Sequence, residues 1–132
     1  MAFNNLELRH LPGLLIASSE TFGGFWPLFN AERAILAFGL PGPIAQSVPA
    51  QTTMFIASSR ISTIGMIIFA LYGQGNLAAV DTVLAVMGLY VGVMDGYFCW
   101  REGRPKMGLF RSAGAFTVAA VGLAGCTAGG QG

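Results

Sequence analysis

The chain has 132 residues, enough for one domain, yet 54 % of it is hydrophobic and only 10 % is charged. Soluble proteins carry roughly 25 % charged residues, so lipid is the expected solvent for this surface. A net charge of +1 supplies no field for nucleic acid, and no nucleic-acid partner is expected.

Hydropathy predicts an all-α fold, a four-transmembrane-helix antiparallel bundle in a single integral membrane domain over residues 1–128. The first span covers residues 11–29, with Pro12 at a natural helix start. The amphipathic stretch "NAERAILAFG" follows and predicts a short interfacial helix over residues 30–39, ended by Gly39. After the breaker "GLPGPIAQSVP" the second span covers residues 50–72. The turn "GQGN" leads to the third, residues 77–100. The fourth covers residues 109–126, and the Gly-rich tail 129–132 is expected to be disordered. Cys99 and Cys126 fall at opposite membrane faces on this map, so no disulfide is expected between them.

Arg33, Arg101, Arg104, Lys106 and Arg111 share one face of the bilayer, and the positive-inside rule puts that face in the cytoplasm. Both termini are then luminal or external. The basic loop "REGRPKMGLFR" suits an anionic lipid surface. Gly88, Gly92 and Gly96 form a double GxxxG on span three. Packing inside the bundle is the first expectation for that face, and a homodimer is the second. Ser58 and Ser62 make a similar small pair on span two.

Charges inside the spans carry the chemistry. Arg60 sits amid apolar residues, where a cation costs roughly 2.5–3.5 kcal/mol and normally faces a partner in the bundle interior. Glu20, Asp81 and Asp95 are the candidates. Side chains lean toward the N-terminus of their own helix, which on antiparallel spans brings Arg60 and Asp95 together and favours that pair. Three carboxylates against one cation leave an excess, so at least one is expected to keep its proton and to serve as an acid. Tyr90 joins the candidate catalytic residues. Ser18, Ser19, Ser59, Ser62, Thr63 and Thr82 are hydrogen-bonding candidates near this layer, each first expected to bond its own or a neighbouring helix. A single histidine, His10, lies at the membrane edge. That excludes metal sites built from several histidines, and no cofactor motif is present, so no metal or cofactor is expected. Proton transfer by Asp, Glu and Tyr, with Arg60 holding an oxyanion or a carboxylate, is the chemistry left.

The stretches "WPLFNAERAILAFGLP", "SSRISTIGMIIFALYG" and "GLYVGVMDGYFCW", which lie between residues 25 and 100, resemble a family of small four-span membrane proteins of unassigned function from fungi and bacteria. Carried over by position, its signature residues are Arg60, Gly65 and Asp95. Family members often have a histidine early in span four. Here that region reads "GLFRSAGAF", so the histidine's role does not carry over. Fungal relatives look like accessory members of secondary-metabolite pathways. The resemblance therefore implies a small lipophilic substrate and, for a fungal chain, the endoplasmic reticulum or another endomembrane.

Together these readings give a membrane-embedded enzyme that isomerises or cyclises a lipophilic metabolite, with cofactor-free oxygenation as a variant. Glu20 in "LLIASSETFGG" is also placed as in small multidrug exporters, which makes a proton-coupled dimeric transporter the alternative. A non-catalytic accessory subunit is the third reading.

Overall fold

The computed structural model describes residues 4–130, and all their regular structure is helical. A 3-10 turn, Leu8–His10, leads into α1 (Leu11–Gly23). Three short helices follow: α2 (Trp26–Phe29), α3 (Ala31–Phe38) and α4 (Gly42–Ala45). Then come the long helices α5 (Val48–Gly73), α6 (Leu77–Arg101) and α7 (Pro105–Leu123).

Local chemistry explains the boundaries. Prolines stand in the first turns of α1, α5 and α7, where the missing N–H costs nothing. Asn30 caps α3 by accepting from the Arg33 amide at 2.9 Å. The span expected over residues 11–29 is not one helix. Pro27 offers no N–H and its ring crowds the carbonyl four residues back. The chain accordingly stops at Gly23 and restarts at Trp26.

At the other end of α3, Gly39 adopts φ +113°, a left-handed conformation suited to glycine. The Leu40 amide then donates to the Ile35 carbonyl at 3.2 Å and closes the helix. Fourth in the series, α7 begins at Pro105, before the residue 109 expected from hydropathy, because Pro105 initiates a helix through the basic stretch.

Two of these helices, α5 and α6, are long and apolar enough to cross a membrane. Only 22 % and 33 % of their apolar windows are buried, unlike the core helix of a soluble protein. Large apolar side chains such as Leu15, Phe22, Ile56, Met66, Val86, Val93 and Phe110 face outward. A soluble monomer rarely shows so much apolar surface.

The long helices pack as two pairs, α1 with α5 and α6 with α7. Glycine makes the second seam. A Cβ on Gly88 would strike the backbone of Ala115 and Ala119, and one on Gly122 the backbone of Asp81 and Ala85. Gly92 and Gly96 instead make room for the Phe116 and Ser112 side chains. The Ser112 hydroxyl donates across the seam to the Gly92 carbonyl at 2.7 Å. The double GxxxG face is thus filled by α7 of the same chain. Packing inside the bundle, the first expectation for this face, is the contact that Gly88, Gly92 and Gly96 make here.

Small residues make the first seam too. Ser58, Ser62 and Gly65, at helical spacing on α5, lie against α1. The Ser62 hydroxyl donates to the Thr21 carbonyl at 2.9 Å, and Gly65 leaves room for Ala17 and Thr21. Most other hydroxyls in these helices fold back on their own turn. Ser18 donates to Leu14, Ser19 to Ile16, Ser59 to Ile56, Thr63 to Ser59 and Thr82 to Ala78.

The two pairs share a core of Ala17, Ile68, Tyr72, Val80 and Leu84, near the α5–α6 turn. The tail expected to be disordered divides at the limit of the described residues. The Gly129 and Gly130 amides both donate to the Gly125 carbonyl, while residues 131–132 lie outside the described range.

Candidate functional site

Away from that shared core, the two pairs and α3 line an open cavity of ≈ 540 Å³, within the roughly 300–1,000 Å³ common for small-molecule sites. Its walls are mostly apolar or small: Trp26 and Pro27, Ala34 and Ala37, Met54 and Ile61, Met87 and Val91, Ala115 and Val118. Three charged side chains line it: Glu20 from α1, Asp95 from α6 and Arg111 from α7.

Arg111 is held from two sides. Its Nε and Nη2 both donate to Asp95 Oδ2, at 2.9 and 2.7 Å. Its guanidinium carbon lies 3.8 Å from the centroid of the Phe38 ring, a cation–π contact. The pair is partly covered, with side-chain exposures of 29 % for Arg111 and 17 % for Asp95. Phe38 reaches this place because Gly39 fits against Met107 and Cys99, where a side chain would collide. The Cys99 thiol also donates to the Phe38 carbonyl at 3.6 Å.

Glu20 is half-buried and within electrostatic range of Arg111 and Asp95. Among the described residues its carboxyl group has no hydrogen-bond or ion-pair partner. The site therefore combines an immobilised guanidinium with a free carboxyl group between apolar walls. Chemically, a guanidinium can hold an oxygen atom and a carboxyl group can give or take a proton.

The candidate residues read from the sequence divide. Glu20 and Asp95 come together here. Arg60 does not: it is exposed on α5, away from the cavity, with no ion pair among the described residues. The expected Arg60–Asp95 pair is replaced by Arg111–Asp95, since the glycine seam brings α7 rather than α5 against that face of α6. Asp81 is buried at the other end and accepts from the Thr127 and Ala128 amides at 3.0 and 2.8 Å. It fastens the C-terminal turn and does not line the cavity. Tyr90 is 67 % exposed on the outer face of α6 and does not line the cavity.

Arg111 and Phe38 were the residues missed. In sequence Arg111 ends the basic stretch "REGRPKMGLFR". Its signal was positional: Asp95 lies eight residues before Gly103 and Arg111 eight after it. An antiparallel hairpin turning at Gly103 puts the two at one depth.

His10, expected at the membrane edge, is buried at 3 % exposure. Its Nδ1 lies 2.8 Å from the Tyr72 hydroxyl, and its Nε2 has no hydrogen-bond partner among the described residues. Among the described residues no three His, Cys, Asp or Glu side chains converge in a way that could hold a metal ion.

Over its described residues the molecule is thus an all-α protein with many exposed apolar side chains and a charged corner in an open cavity between its helices. Residues 17–125 match the family described as "Domain of unknown function (DUF4267)", and the chain belongs to that family. The matched segment contains Glu20, Phe38, Asp95 and Arg111. No curated protein and no solved structure matches the chain.

Proposed function

We propose that this is a four-span membrane protein whose cavity performs acid/base chemistry on a small lipophilic metabolite, an isomerisation or a cyclisation. One observation carries the reading: the unpartnered Glu20 carboxyl group shares an apolar cavity with Arg111, itself fixed by Asp95 and Phe38. Arg111 takes the oxyanion-holding role that the sequence suggested for Arg60. Asp95 positions Arg111, and Glu20 moves the proton. In the bilayer, α1 with α2 forms the first span, and α5, α6 and α7 form the rest. Arg33, Arg101, Arg104 and Lys106 gather at the end where α3 meets the α6–α7 turn, so that end faces the cytoplasm.

The test is metabolite profiling of a deletion strain complemented with wild type or with Glu20→Gln. The expected result is a precursor that accumulates with Glu20→Gln at normal protein level. Full restoration of product by that variant would refute the reading.

A second reading draws on the same free carboxyl group, which stands in the first helix as a proton-coupled exporter would need. There, Glu20→Gln leaves product formed but retained in the cell.

A further inference from the structure

We infer that the cavity takes an uncharged, enolisable carbonyl compound, an apolar skeleton bearing a ketone or aldehyde with hydrogen on the adjacent carbon. This rests on the acid/base reading of the same site and names its substrate class.

Two observations carry the assignment. The first is the unused edge of Arg111. Two of its five N–H groups are spent on one oxygen of Asp95. Nη1 and the second N–H of Nη2 make no hydrogen bond among the described residues, and Arg111 lines the cavity. Two donors of this guanidinium already share the single atom Asp95 Oδ2, and the free pair can share one oxygen of a ligand in the same way; the charge balance of the lining decides between a carbonyl and a carboxylate.

The second observation is the charge count. Arg111 and Asp95 cancel, so an ionised Glu20 leaves the lining at −1, from one positive and two negative side chains. A ligand carboxylate would bring a second unbalanced negative charge between apolar walls. An ammonium ligand would balance Glu20 but leave the Arg111 fork without an acceptor and facing a like charge. A neutral carbonyl satisfies both groups: its oxygen accepts from Arg111, and its adjacent C–H faces the carboxylate.

The proton transfer then balances within the site. Glu20 takes the proton, forming an O–H bond. The C–H electron pair becomes the carbon–carbon double bond of an enolate, and the carbonyl π pair moves onto the oxygen held by Arg111. Returning that proton to a different carbon of a conjugated ligand gives the isomer and restores the carboxylate. The total charge stays constant and only moves from Glu20 to the ligand oxygen beside the guanidinium. No oxidant or reductant is consumed.

The experiment uses the full chain in nanodiscs with three probes that share one undecyl chain: undecyl methyl ketone, dodecanoate and dodecylammonium. Binding is read from Trp26 fluorescence, since Trp26 lines the cavity, in a Trp100→Phe background. Proton abstraction is read as deuterium uptake beside the ketone carbonyl in heavy water, by mass spectrometry. The ketone is expected to bind about tenfold tighter than either charged probe, as a charge-assisted hydrogen bond provides. It should take up deuterium in the presence of wild type. Glu20→Gln should bind the ketone and lose the exchange. Arg111→Lys keeps the charge but not the fork, and should lose the preference for ketone.

Dodecanoate binding as tightly as the ketone, or no ketone binding, overturns the carbonyl assignment and leaves the acid/base reading standing. Ketone bound without Glu20-dependent exchange, or dodecylammonium bound most tightly, overturns both.

Discussion

Substituting Gly88 by alanine tests how closely α6 and α7 approach. The added methyl would sit 2.5 Å from the Ala115 carbonyl oxygen and 2.8 Å from Ala119 Cα. These are backbone atoms on a neighbouring helix and cannot swing aside as a side chain would. Overpacking costs about 1–3 kcal/mol, and roughly 2–3 kcal/mol of that range applies where backbone is struck, while replacing a helical glycine by alanine returns about 1 kcal/mol. The net expectation is a loss of roughly 1–2 kcal/mol. Gly114 is the control. It lies in α7 with nothing within 4 Å of its added methyl, so Gly114→Ala gains roughly 0.5–1 kcal/mol. For a chain of this size the two variants should differ by about 5–10 °C in midpoint, with opposite signs relative to wild type. Thermal unfolding in detergent, followed by circular dichroism, measures both. If Gly88→Ala raised the midpoint as Gly114→Ala does, the backbone-to-backbone seam would be refuted.

Gly39→Ala should destabilise by about 1–2 kcal/mol, because it forces a side chain into the left-handed region and against Met107. It should also weaken ligand binding by moving Phe38 off Arg111, which titration of an oxygenated apolar probe detects. Asp81→Ala should speed amide hydrogen exchange across residues 124–130, with about 1–3 kcal/mol lost from the two orphaned N–H groups, and should leave cavity binding intact. Arg60→Leu should leave the unfolding midpoint unchanged or higher and improve membrane insertion by roughly 2–3 kcal/mol, whereas Arg111→Leu lowers the midpoint by stranding Asp95.

The hydropathy of residues 48–73 and 77–101 made α5 and α6 legible to within two residues at each end, because long apolar runs leave little choice of structure. Glu20 and Asp95 were legible for the same reason, as acids set in apolar helices. Arg111 was not. Window averaging counts charge density and starts the fourth span only at residue 109, leaving Arg111 grouped with the basic run before it, although Pro105 starts a helix inside that run. Arg60 misled in the opposite direction: isolation in sequence signals a cost but not the direction in which a side chain points. Phe38 could not be picked from ten phenylalanines, since its role depends on a tertiary contact made through Gly39. His10 was likewise hidden, because its burial is supplied by Tyr72, distant in sequence.

The two tight seams also fix how this molecule can breathe. Each pair is joined backbone to backbone and has little freedom of its own, whereas the pairs meet each other through larger side chains around Tyr72 and Leu84. The soft coordinate is therefore a tilt of one stiff pair against the other, like the jaws of a clothes-peg pivoting at the Tyr72 end. Widening the gap by that motion would carry Glu20 away from Arg111 while Asp95 stays with its guanidinium, so the two halves of the charged corner would come apart whenever the jaws part.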